Sequence, residues 1–199
     1  MRVGTVGADA SSHQTENAPR IAYFVPESEY FTLTIQASSF QSLQGGLKNP
    51  MKIGLSRTIN QQYRRLMMSI AMICGAVLGI GLFTLMFSAF SLANGGKTKR
   101  IFIFGIFIVF LALHNLFSAP YAYTTFLNLS WSWGIRLEYL FSFLAILFFL
   151  SYMFLLSSRY LHRWVYSAAM LLLSFNIGVT LWAEPTIFQQ LAFYSSFFF

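Results

Sequence analysis

Arg136 and Glu138 stand two residues apart at the mouth of an apolar stretch, residues 137–157, and His114-Asn115 lies near the end of the preceding one. On a helix, positions i and i+2 do not face each other, so these two charges are not expected to bridge one another. Each is expected instead to meet His114 or Asn115 at the matching depth. The pairing would act as a structural clamp between helices or as part of a ligand- or signal-coupling element. His114 beside a carboxamide has the chemistry of a pH sensor and, more ordinarily, of a buried group bonded to a neighbouring helix. Charged groups near membrane segments are costly and often functional, although the cost is small at the interface.

Other chemistries find no support in the residues. There is no GxSxG, no phosphate-cradling glycine loop, no HExxH and no carboxylate pair suited to acid–base work. An enzyme is therefore not expected. A single cysteine, Cys74, and three scattered histidines (His13, His114, His162) cannot build a zinc, haem or iron–sulfur site, so no metal or cofactor is expected. Mid-span acids, the usual mark of a proton or ion relay, are missing from the apolar stretches.

The elements that position these residues are four apolar segments, 66–93, 101–119, 137–157 and 164–183, uncharged apart from Glu138 at the mouth of the third. Each approaches or exceeds the ~20 residues a helix needs to cross ~30 Å of hydrocarbon. An apolar fraction of 56% and a charged fraction of 10% agree with a polytopic helical membrane protein. Of the 23 phenylalanines, 20 lie beyond residue 80, which suits lipid-facing and interfacial positions. Gly75 and Gly79 form a small-xxx-small pair, read as ordinary membrane-helix glycine or as a close-packing face. Asn94-Gly95-Gly96 is expected to turn the first two spans into a hairpin, and Tyr121, Tyr123, Trp131 and Trp133 are expected at the membrane interface.

Before the spans, residues 57–65 form a polar, potentially helical lead. Residues 30–40 alternate polar and apolar with β-branched and aromatic types, and Leu47, Met51, Ile53 and Leu55 continue the alternation, so strands are expected in both places. Strands this poor in apolar residues would have to complete a larger sheet. Residues 1–20 lack the apolar core of a signal peptide, and 191–199 is a partial fifth span. Both ends are therefore expected to be cut from a longer chain.

The formal net charge is +7, but Arg64, Arg65, Lys97, Lys99, Arg100, Arg159 and Arg163 flank the spans, where lipid headgroups rather than nucleic acid are the expected partner. Counting loops alone favours an outside N-terminus. Adding Lys48, Lys52, Arg57, Arg64 and Arg65 brings the count near a draw, and the expected strand domain tips it outward.

Several stretches in order resemble the bacterial seven-transmembrane receptors with diverse intracellular signalling modules. Residues 31–40 with Gly45-Gly46-Leu47 and Ile53-Gly54 resemble the closing strands of that family's extracellular jelly roll. Residues 111–117, Leu129-Ser130-Trp131 and Arg136-Leu137-Glu138-Tyr139 resemble its second and third membrane helices, and Pro185-Thr186-Ile187-Phe188 the loop before its fifth. The resemblance implies residues 1–56 as the end of an outer β-sandwich and 66–199 as the helical domain, in the bacterial inner membrane. It further implies an external small-molecule or carbohydrate ligand, and a cytoplasmic kinase, cyclase or phosphatase as output. The alternative is a small four-span accessory or transport-type membrane protein.

Overall fold

The computed structural model describes residues 21–25, 30–34, 51–96, 98–156 and 162–195. Within them the chain is mainly helical, and four helices are long and apolar enough to cross a membrane: α1 (Ser56–Ala93), α2 (Lys99–Phe117), α3 (Trp131–Leu156) and α4 (Arg163–Trp182). A shorter α5 (Pro185–Ser195) follows, and a 3-10 turn at Ala122–Thr125 lies between α2 and α3. This is a multi-pass membrane protein, and helices are the form its spans must take, because lipid offers the backbone no hydrogen bonds. Successive helices pack as antiparallel neighbours. The starts of α1, α3 and α5 thus share one face with the ends of α2 and α4 (the stalk face), and the other helix ends share the opposite, basic face.

The 38 residues of α1 reach ~57 Å at ~1.5 Å per residue, nearly twice the hydrocarbon thickness. The polar lead at 57–65 is therefore not a separate element. It is the exposed first turns of the same helix, and it projects as a stalk. Asn60 Nδ2 on the stalk donates to Tyr23 Oη at 2.6 Å, tying residues 21–25 to it.

The stalk helix is held along one line. Its buried residues are Met67, Cys74, Gly81 and Ser88, spaced by seven, with half-buried residues three and four positions after each of the first three. A seven-residue repeat is the signature of left-handed helix crossing. Small side chains set the distance. A Cβ at Gly81 would lie 2.9 Å from Val109 Cγ2, and one at Gly105 would lie 2.9 Å from Leu85 Cδ2, so each helix lends a glycine to its partner's branched side chain. At the end of α1, Gly95 (φ 81°) takes the left-handed conformation and Gly96 N donates to Ser91 O at 2.8 Å. This is a Schellman closure, and it produces the hairpin expected from Asn94-Gly95-Gly96.

The seam between α2 and α3 is aromatic. Phe104 meets Tyr152 (centroids 4.9 Å apart), Phe107 meets Phe149 (5.3 Å), Phe110 stacks on Phe148 (5.6 Å) and Phe117 meets Phe141 edge-on (5.4 Å). Many of the phenylalanines expected toward lipid thus line a helix–helix contact. Lipid is as apolar as any core, so packing and ring electrostatics decide where they go. On the far side of α3, Phe154 stacks on Tyr166 of α4 at 4.3 Å.

The expected strands are absent where the structure can test them: residues 30–34 and 51–55 are irregular, and residues 35–50 lie outside the described residues. Alternation alone does not make a strand, because a strand's backbone groups need a ladder partner. Tyr30, Phe31 and Leu33 are exposed, as are Met51, Ile53 and Leu55, so no packed face compensates.

Candidate functional site

His114, Asn115, Arg136 and Glu138 all lie toward the stalk face, where four helix ends meet. α3 begins at Trp131 rather than near Arg136, which places Arg136 and Glu138 in its second turn, about 7–10 Å inside the start of the helix. Interfacial aromatics conceal this early start in the sequence, since Trp131-Ser132-Trp133-Gly134 reads as loop.

Arg136 turns away from α2. Its Nη1 donates to the carbonyls of Thr180 (2.9 Å) and Leu181 (3.0 Å), and its guanidinium lies 5.8 Å from the ring centre of Phe188 on α5. Thr180 and Leu181 are among the last residues of α4, whose final carbonyls have no partner within the helix. A cation there satisfies them and complements the negative end of the helix dipole. Arg136 is thus the cap of α4 and the pin between α3, α4 and α5.

Glu138 serves α2 through its backbone. His114 Nδ1 lies 3.1 Å from Glu138 O, and because a carbonyl only accepts, Nδ1 is the protonated ring nitrogen. Asn115 is exposed and donates from Nδ2 to Leu111 O of its own helix at 2.9 Å. The four residues singled out from the sequence therefore divide. His114 reaches Glu138 by its main chain, Arg136 goes to α4, and Asn115 stays on α2.

The Glu138 carboxylate acts on the tyrosines that roof the site. Tyr121 sits in the left-handed region (φ 62°), unusual for a side chain of its size, directly after a cis Ala119–Pro120 peptide. Burial, then the charge of Glu138 and the proximity of Tyr123 and Tyr139, pushes Tyr121 from 10.0 up to about 12. Tyr123 is raised for the same two leading reasons, burial and Glu138. Its ring stacks on Phe117 at 4.6 Å, and its phenol rests over Gly134, where a Cβ would lie 2.8 Å from Tyr123 Cζ. Only glycine leaves room there for the turn to lie flat on α3.

Residues that sequence reasoning passed over complete the site. Asn176, Thr180, Phe188 and Gln189 are buried, and Thr180 Oγ1 donates to Asn176 O at 2.8 Å. Among the described residues Asn176 Nδ2 is buried without an acceptor, as is Trp131 Nε1. Asn176 carried a signal, being the only carboxamide within α4. Phe188 and Gln189 were passed over because the fifth apolar stretch was read from 191, whereas α5 begins at Pro185. Among the described residues no group of His, Cys, Asp and Glu is placed to hold a metal ion. The arrangement can pin helices, hold a half-buried cation against carbonyls and sense charge near Tyr121.

No family model, curated protein or solved structure matches the chain.

Proposed function

We propose that the chain is the membrane part of a sensory receptor, passing an event at the stalk face to the basic face. The observation that carries this is the continuity of α1. One unbroken helix runs from residues that contact Tyr23 outside the bundle to the Gly95 turn on the opposite face. A helix held by a single seam and gripped at an exposed end suits small translations or rotations, the usual currency of transmembrane switching. The pinned junction of α3, α4 and α5, which α1 reaches among the described residues only through α2 and the 3-10 turn, gives such motion a fixed frame.

In this proposal the N-terminus lies outside a bacterial inner membrane, and Lys99, Arg100 and Arg163 lie inside. The segment before α1 meets an external ligand, small-molecule or carbohydrate. A kinase, cyclase or phosphatase receives the output. Support for the orientation comes from the loops between the spans alone, since the basic residues before α1 bring the whole count near a draw. Residues 94–100 and 157–163 hold five basic residues and no acid, and cytoplasmic loops favour Lys and Arg.

The test is a distance measurement in liposomes between spin labels at Lys99→Cys and His162→Cys, both on the basic face, with Cys74→Ala as background. Tyr23→Phe removes the hydroxyl that holds Asn60. A shift in the distribution when the stalk contact is cut supports transmission. An unchanged distribution, with the protein still folded, refutes it.

A further inference from the structure

We propose that Arg136 anchors a phosphate-binding site at the stalk face, which takes the phosphodiester of an anionic lipid headgroup or a free phosphate ion. The guanidinium has two usable edges. Nη1 is spent on the carbonyls of Thr180 and Leu181, and among the described residues the guanidinium's other contact is the Phe188 ring. Neither the carbonyls nor the ring carries a formal charge. The Nε/Nη2 edge therefore keeps its parallel N–H groups, the geometry that receives a phosphate or carboxylate through two hydrogen bonds. Capping α4 also fixes the side chain in advance, so little rotamer freedom remains to be lost on binding.

The surroundings suit an oxyanion at a membrane surface. Arg136 is half-buried, about 7 Å inside the start of α3. Trp133 and Trp182 are exposed on the same face, and such residues mark headgroup level. A second observation is independent of the arginine. Trp131 Nε1 and Asn176 Nδ2, both at this end of the bundle, are buried donors with no acceptor. Asn176 lies one turn deeper than Thr180 on the same buried face of α4, and a phospholipid carries its ester carbonyls on the acyl side of its phosphate. Glu184, just past the end of α4, is exposed. This site is independent of whether α1 transmits a signal.

The experiment uses the whole chain purified in a neutral detergent. Retention of phosphatidylglycerol against phosphatidylcholine is read by native mass spectrometry, and stabilisation by inorganic phosphate by thermal melting. The expected result is a preference for phosphatidylglycerol of about tenfold, lost in Arg136→Gln. Arg136→Lys, which keeps the charge but not the fork, should weaken it severalfold. Lys99→Gln with Arg100→Gln, on the opposite face, should leave it unchanged. If inorganic phosphate stabilises the protein through Arg136 and lipid preference is absent, the occupant is free phosphate and the site stands. Equal lipid retention and equal phosphate response in wild type and Arg136→Lys would overturn the proposal, as would loss confined to the basic-face variant. Arg136→Lys retains a donor for α4, so it remains readable if Arg136→Gln fails to fold.

Discussion

Four glycines on two helices allow the packing of the bundle to be tested by sign. A Cβ added at Gly75 or Gly79 meets nothing within 4 Å. One added at Gly81 meets Val109 Cγ2 at 2.9 Å and the Val109 backbone nitrogen at 3.2 Å. One at Gly105 meets Leu85 Cδ2 at 2.9 Å and the Leu85 nitrogen at 3.3 Å. Replacing glycine by alanine in a helix gains roughly 0.5–1 kcal/mol from backbone entropy at all four positions. At Gly81 and Gly105 overpacking opposes that gain by about 1–3 kcal/mol, because a backbone atom behind the side chain limits how far it can yield. The backbone term cancels between the classes, so Gly81→Ala and Gly105→Ala should fall about 1–3 kcal/mol below Gly75→Ala and Gly79→Ala. The outward pair should match or exceed wild type. The assay is reversible unfolding in mixed micelles followed by tryptophan fluorescence. Equal losses at Gly75 and Gly81 would mean that α1 presents a different face to α2, and the seven-residue seam would be wrong.

Three further outcomes are expected. Asn176→Leu removes a buried amide that has no acceptor, and should stabilise the protein by about 1–3 kcal/mol in detergent without added anionic lipid, read as a rise in melting temperature. Tyr121 is held un-ionised up to about 12 against 10.0 in the unfolded chain, so its contribution is intact below pH 10 and disappears as pH climbs toward 12. Melting temperature should fall over that window, and Tyr121→Phe should flatten the fall. In intact cells an impermeant maleimide should label Gln61→Cys on the stalk. Lys99→Cys and His162→Cys should label only after the membrane is opened, and the reverse pattern would invert the orientation.

The spans were legible in the sequence because lipid demands long uncharged runs, and the Gly95-Gly96 turn because few other residues close a helix that way. Element boundaries were less so. α1 begins at Ser56 and α3 at Trp131, both in sequence polar or aromatic enough to read as linker. α5 begins at Pro185, a residue suited to the first turn of a helix, and that signal was available. What the sequence could not disclose was facing. In water, apolar periodicity marks the buried side, whereas in lipid both sides are apolar, so nothing in the sequence separated Gly75 and Gly79, which face outward, from Gly81, which packs on α2. The same ambiguity hid the partners of Arg136. Its depth in α3 was misjudged by about a turn and a half, and α4 was nearer than His114.

The line Met67, Cys74, Gly81, Ser88 has a consequence for how freely this chain can vary. Only one position in seven along the span of α1 is fully enclosed, and at most of the rest the solvent is lipid, which asks for apolarity and not for a particular shape. A saturation library across residues 66–93 should therefore show a comb: sharp intolerance at every seventh codon, muted selection three and four codons later, and wide exchange among Leu, Ile, Met, Val and Phe between them. Two chains could share few identities in this helix and still dock it identically, provided the teeth of the comb coincide.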